Sequence, residues 1–464
     1  MSLSEGVVSV AASLALLGLG PPATASESAP AVAATVGPGS ETATTAADRL
    51  LGAMADEGLR SLAQEVLERS PAVAGAAARA GATRQQAPQA KALPDPMAGV
   101  TGFVSPPETR VGPQRLMATL SQRFPWFGKR GLREGVALRQ ADAQDAEVQA
   151  LRLRLVTEVR RIGYEIAFLD AHRKVVESDR ETLVEFEELA RTRYESGVGL
   201  QQGVVKIQAE ITKDDNRLLD IAIRRAALVS ELNGLRDRPP DTPVTGLRLP
   251  AVARREVPGL EAVRARALAR RPELIQADAE IDRADLLVDL AHKEYRPDLT
   301  LGATYTLVGG RTDPAGQMAP PPDDGKDVFG LSLSLNLPIH RGRLRAGLEQ
   351  AAEIRRAARE RKRDVTTSID RALGELVERL RLSGEQVGLF DRVLRVQAEQ
   401  SLRSARSAYA AGSLNSLDLL DAERVLLDVR VSAERARADN AVALARLEGA
   451  IGAPLDAVKE GVEP

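Results

Sequence analysis

Two short runs break the helical periodicity of this chain. Residues 299–307, LTLGATYTL, place Leu299, Leu301, Ala303, Tyr305 and Leu307 on one face and Thr300, Gly302, Thr304 and Thr306 on the other. Residues 328–336, VFGLSLSLN, set Phe329, Leu331, Leu333 and Leu335 against Gly330, Ser332, Ser334 and Asn336. Period-two alternation specifies strand. Strands of about nine residues with one apolar and one small polar face have the length and pattern of transmembrane β-barrel staves. The rest of the chain is charged and rich in Ala and Leu. Neither Arg130–Arg193 nor Leu344–Ala411 contains a Pro. Each predicts a helix of up to about 100 Å at 1.5 Å per residue. In the second, Leu373, Leu380, Val387 and Leu394 recur every seven residues, with Ile369, Leu376 and Phe390 on companion positions. That spacing predicts a coiled-coil seam.

The same plan occurs twice. YESGVGLQQGVVKIQAE begins at Tyr194 and YAAGSLNSLDLLDAERV at Tyr409, 215 residues later, so that Gly197 meets Gly412. The same spacing carries LNGLRDRP (232–239) onto LEGAIGAP (447–454). Upstream, ERSPAV (68–73) resembles ARRPEL (269–274), LPD (93–95) resembles RPD (296–298), and QRFPWFGKR (122–130) resembles LNLPIHRGR (335–343). Each half therefore predicts a helix, an X-Pro-Asp turn, a strand pair, a very long helix, a tight turn and a return helix. The first-half strands are expected near 97–104 and 115–123, joined by the loop SPPETRVGPQ. The domains follow: a first repeat over 58–238, a linker over 239–257, a second repeat over 258–455 and a tail over 456–464. Residues 7–20 are apolar and precede Ala23-Thr24-Ala25, the form of a signal-peptidase site, although no Lys or Arg comes before them. Residues 1–25 are expected to be a signal peptide and the Ala/Thr/Ser/Pro-rich 26–57 to be disordered.

Composition narrows the function. Lys and Arg total 63 and Asp and Glu 65, for a net charge of −2, which gives no support for nucleic-acid binding. The absence of Cys removes disulfides, thiolate metal sites and a Cys nucleophile. His172, His292 and His340 lack metal-ligand spacing and read as surface residues. No catalytic motif is present, so an enzyme is not expected, nor is a cofactor or a bound metal. Four strands are too few to close a membrane barrel, and an open edge in lipid leaves backbone groups unpaired. The strands must close with those of other copies while the polar helices project into water.

The duplicated plan, FPWFGKR at the head of a long helix and the paired Tyr-x-x-Gly turns resemble the TolC-type outer-membrane efflux family over residues 58–455. The fold class expected is mainly α with a small β part: duplicated helical hairpins forming an α-barrel, plus four transmembrane strands contributing to a trimeric twelve-stranded β-barrel. The resemblance implies a homotrimer in outer-membrane lipid with its helices in the periplasm, working with a periplasmic adaptor protein and an inner-membrane pump. FPWFGKR is most similar to members that serve metal-ion efflux. The alternative is a coiled-coil scaffolding protein without channel activity, which leaves the strands and the duplication unexplained.

The resemblance also assigns candidate sites. Asp418 and Asp421 share a helix face and match aspartates that ring the family's periplasmic aperture, where three copies assemble six carboxylates. Without the resemblance they read as an ordinary solvated helix start. Tyr409 matches the family's gating tyrosine, but the position of its usual Asp partner holds Gly203. Gly197, Val198, Gly199 and Leu200, with Gly412, Ser413 and Leu414, match the tips that meet the adaptor; plain helix-breaking turns are the other reading. Trp126 is either an anchor at the membrane–water interface or a packing residue at the strand-to-helix junction.

Overall fold

The computed structural model describes residues 45–252 and 257–456. The expected signal peptide, most of the segment expected to be disordered and the last eight residues lie outside the described part.

Four helices open it: α1 (Ala46–Gly52), α2 (Glu57–Arg69), α3 (Pro71–Arg84) and α4 (Gln86–Lys91). Expected disorder over 26–57 is corrected here for residues 45–57. Thr45 caps α1 in a reciprocal capping box with Asp48, and Leu50, Leu51 and Met54 are buried in the largest apolar cluster. The Ala- and Thr-rich composition concealed three well-spaced apolar anchors.

Strands β1 (Met97–Gly102), β2 (Glu108–Thr109) and β3 (Gly112–Phe124) follow, then α5 (Lys129–Glu195), the return helix α6 (Gln201–Leu235), α7 (Leu260–Arg270) and α8 (Pro272–Lys293). The second half continues with β4 (Leu299–Val308), the short α9 (Pro314–Met318), β5 (Val328–Leu335), α10 (Arg341–Leu389), a five-residue π-helical segment (Phe390–Leu394), α11 (Arg395–Ala410) and α12 (Ser416–Ile451). The expected loop 105–114 is partly sheet, since β2 pairs with the start of β3. Each half carries short helices, a strand pair and a long helical hairpin, and residues 239–257 are more than a tether: Val244 and Leu247 join the core formed by α1, α2, α5, α6 and α12.

The sheet runs β1-β3-β4-β5, every neighbour antiparallel. Its register aligns the alternation across all four strands. Val100 pairs with Ala118, Ala118 with Tyr305 and Tyr305 with Phe329; one step along, Thr101 pairs with Met117, Met117 with Thr306 and Thr306 with Val328. One face is thus mainly Leu, Ala, Phe and Tyr, and the other mainly Thr, Ser and Gly. Among the described residues, β1 and β5 each keep one edge unpaired. Among the described residues no helix is long and apolar enough to cross a membrane. At the end of the sheet away from the long helices the two strand-pair loops are knit together. The Gly325 N–H donates to the Val111 carbonyl at 2.8 Å, Thr312 Oγ1 donates to Glu108 at 2.9 Å, and Arg110 pairs with Asp323.

The coiled-coil expectation holds only in part. Ile369, Leu373, Leu380 and Val387 are buried, but Leu394 falls in the π-helical segment and is not. The extra residue there rotates the stripe, and burial resumes at Ala398 and Tyr409.

Candidate functional sites at the joint and the tips

Strand becomes helix at a buried ion cluster. The Lys129 side chain is almost wholly enclosed, and its Nζ donates to Asp298 Oδ1 at 2.9 Å and to the Arg296 carbonyl at 3.0 Å. Arg123 reaches the other Asp298 oxygen at 2.5 Å, and the Trp126 N–H donates to Asp298 Oδ1 at 3.0 Å. Burial alone raises the Asp298 carboxyl, but Lys129, the Trp126 N–H and Arg123 outweigh it and hold it at about 2. The Pro-Asp turn of one repeat is thereby bolted to the Phe-Pro-Trp-Phe-Gly-Lys turn of the other. Both motifs are visible in the sequence, but their meeting is not. Trp126 is half-buried against this cluster, while Phe127 beside it is 85% exposed, with Leu337 and Ile339 also exposed on the second repeat. These three apolar side chains stand exposed where the Phe-Pro-Trp-Phe of the first repeat recurs as Leu-Pro-Ile.

At the far end of the helices both tips close alike. Gly197 and Gly412 sit at φ +75° and +81°, the left-handed region where a Cβ is penalised. The Gly197 N–H donates to the Tyr194 carbonyl and Val198 to Arg193, each at 3.0 Å. Gly412 to Tyr409 and Ser413 to Ala408 repeat the pattern at 3.0 Å. These are Schellman caps. Gly199 bonds back to Arg193 at 2.8 Å, which leaves Val198 and Leu200 projecting and exposed. Leu414 is half-buried, and Asn415 Oδ1 accepts from the Leu417 and Asp418 N–H groups to start α12. Asp418 and Asp421 are both exposed on α12, beside Lys206, Lys213 and Arg424.

Tyr409 lies inside rather than on an open rim. It is 5% exposed, packed with Phe186, Ile207 and Leu419. The Arg193 guanidinium lies 4.7 Å from its ring centre and also donates to its carbonyl, so α5 of one repeat grips α11 of the other. Arg193 was not foreseen. Gly203, the departure from the family pattern, has a steric reason: a Cβ there would stand 2.5 Å from Ser416 Oγ. His172 is half-buried and stacked on Phe168 at 5.5 Å, which corrects its reading as a surface residue.

A strand sheet with an apolar face, bolted to long polar helices that end in paired caps, defines a membrane-strand protein with a helical extension. The sequence profile described as outer membrane efflux protein matches residues 62–235 and 263–453, one stretch in each repeat, and the chain belongs to that family. It is a family of channels, not of enzymes. Among solved structures, the outer-membrane channel OprN aligns with a TM-score of 0.73 at 17% identity, over 86% of this chain and 91% of its own. The outer membrane protein VceC of Vibrio cholerae aligns at 0.71 and 21% identity, over 86% and 96%. The open state of the MtrE outer membrane channel of Neisseria gonorrhoeae aligns at 0.69 and 19%, over 90% and 94%. At such identities the likeness establishes the fold. No curated protein matches the chain.

Proposed function

We propose that this chain is the outer-membrane exit duct of a tripartite efflux system. Three copies close twelve strands into one barrel, the helices continue it into the periplasm, and the tips meet an adaptor that joins the duct to an inner-membrane pump. One observation carries the reading: a sheet with one apolar face, the other small and polar, and both edges unpaired. Such a sheet is stable in lipid only when copies pair edge to edge. The cargo is whatever the pump delivers.

Asp418 and Asp421 supply the charge at the inner opening in this reading. Asp418→Asn with Asp421→Asn should lower cation selectivity in planar bilayers, most at low salt where screening is least. Unchanged selectivity would make them plain solvated surface. A stable monomer by light scattering, with its strands intact, would rule out the shared barrel. Recovery of the protein without detergent would favour the scaffold instead.

A further inference from the structure

Between the tip cluster and the next apolar cluster up the helices lies a layer that is not apolar. Asp179 on α5 sits between Val176 and Leu183, Asp214 on α6 between Ile207 and Ile221, and Glu423 on α12 between Leu420 and Leu427. All three are buried, with exposures of 3%, 0% and 3%. Among the described residues, Asp179 Oδ1, Asp214 Oδ2 and Glu423 Oε2 are enclosed with no donor directed at them.

The neighbouring cations are committed elsewhere. Among the described residues Arg217 alone reaches the layer, touching Asp214 at 2.7 Å from a half-exposed position. Arg180 of α5 is held by Asp215 at 2.7 Å, Lys213 of α6 by Glu210 at 2.7 Å, and Arg424 of α12 also by Glu210. Arg406 of α11 is held by Glu185 at 3.0 Å, and Asp421 lies beside Arg424. Three carboxylates and one guanidinium cannot all stay ionised in such a layer. The carboxyls act on one another across the layer, Asp214 with Asp179 and Asp179 with Glu423. A hydrogen bond between two carboxyls requires a proton on one of them.

We propose that Asp179, Asp214 and Glu423 form a proton-responsive clasp, which holds α5, α6 and α12 together while protons are shared in the layer and loosens as Asp179 and Asp214 ionise. Burial, with the mutual hydrogen bonds, pushes Asp179 and Asp214 up to about 7. A folded value raised above the ordinary 3.8 gives stability that is full below about pH 4 and lost as pH rises through about 7. Glu423 lies about two helical turns into α12, and Asp214 and Asp179 about four turns from the tip ends of α6 and α5. A loosened clasp frees the tip helices, and tip mobility then follows the acidity of the surrounding compartment. The clasp lies within one chain and goes beyond the channel reading, so either stands if the other fails.

The test is hydrogen exchange on the full chain in detergent at about pH 5.5 and about pH 8, corrected for the intrinsic pH dependence of exchange. Amides of 176–186, 207–221 and 419–427 should open at least roughly tenfold more often at the higher pH. Asp179→Asn with Asp214→Asn keeps the shape without the ionisation and should abolish that difference. Equal protection of the wild type at both values, or a difference that survives in the variant, overturns the clasp. Should the variant not fold, the wild-type infrared spectrum decides. A protonated-carboxyl band present at the lower pH and lost at the higher supports the clasp, and its absence at both overturns it.

Discussion

Removing the Lys129 ammonium would leave the Asp298 carboxylate enclosed with only the half-exposed Arg123 as cation. Lys129→Met should therefore cost about 3 kcal/mol or more, the penalty of a stranded buried charge. The double variant with Asp298→Asn should recover much of the loss, because no charge remains to strand. Thermal melts of the four proteins check this, and equal melting of single and double variants would refute the account. The pH dependence runs opposite to that of the clasp. Asp298 is held below its usual range, so its stabilisation is present above about pH 4 and lost as pH falls toward about 2. Neither cluster was legible beforehand for the same reason. A buried charge is recognised by what surrounds it, and Lys129 and Asp298 stand 169 residues apart in the chain. The clasp did leave a trace, since Asp179 and Asp214 occupy the apolar stripes of their own helices. Gly203 is a third such case: Gly203→Ala, pressed against Ser416, should loosen the tip and speed its proteolysis, and Ser416→Gly should restore it.

At the scale of elements, strands read well because their alternation is local, and β4 and β5 begin and end within a residue or two of their sequence pattern. Long helices read well because nothing interrupts them. The π-helical segment did not, since one surplus residue changes the rotation of the stripe without changing composition. The duplication gives the elements a further prediction. Pairs Met97 with Ser121 and Gly99 with Thr119 in the first hairpin fall on Thr300 with Ser334 and Gly302 with Ser332 in the second. The contact between the halves pairs Thr119 with Thr304. Under the same equivalence, Ser332 of one copy pairs with Thr101 of the next. The chain has no Cys, so Ser332→Cys with Thr101→Cys offers a clean cross-link and should yield disulfide-joined trimers on oxidation. Moving one cysteine by a residue, to Leu331→Cys, turns it to the opposite face and should abolish the link. Equal cross-linking by both pairs would break the equivalence.

For the whole molecule, the architecture was legible because it is repetitive: each weak motif was read twice, in the same order. The tips were legible as turns through Gly197 and Gly412, but the Arg193 grip on Tyr409 was not, because the two residues stand 216 apart in the chain. The knitted loops beyond the sheet carry a topological expectation from the proposed duct. A tag at the exposed Ala315 should be reachable by antibody on intact cells, and labelling only after permeabilisation would invert the orientation.

The equivalence of the two sheet contacts changes what the linker is for. If β3 meets β4 as β5 meets the next β1, a ring of alternating halves closes whether or not any particular pair is covalently joined. The linker then acts on stoichiometry: it supplies first and second halves in equal number and fixes their order around the ring. A chain divided after Pro250, which leaves Val244 and Leu247 with the first half, should reassemble from two genes. Expressing those genes in unequal amounts would reveal whether a half can neighbour its own kind. Rings of one half alone would place the order in the peptide bond, and rings that form only at parity would place it in the strands themselves.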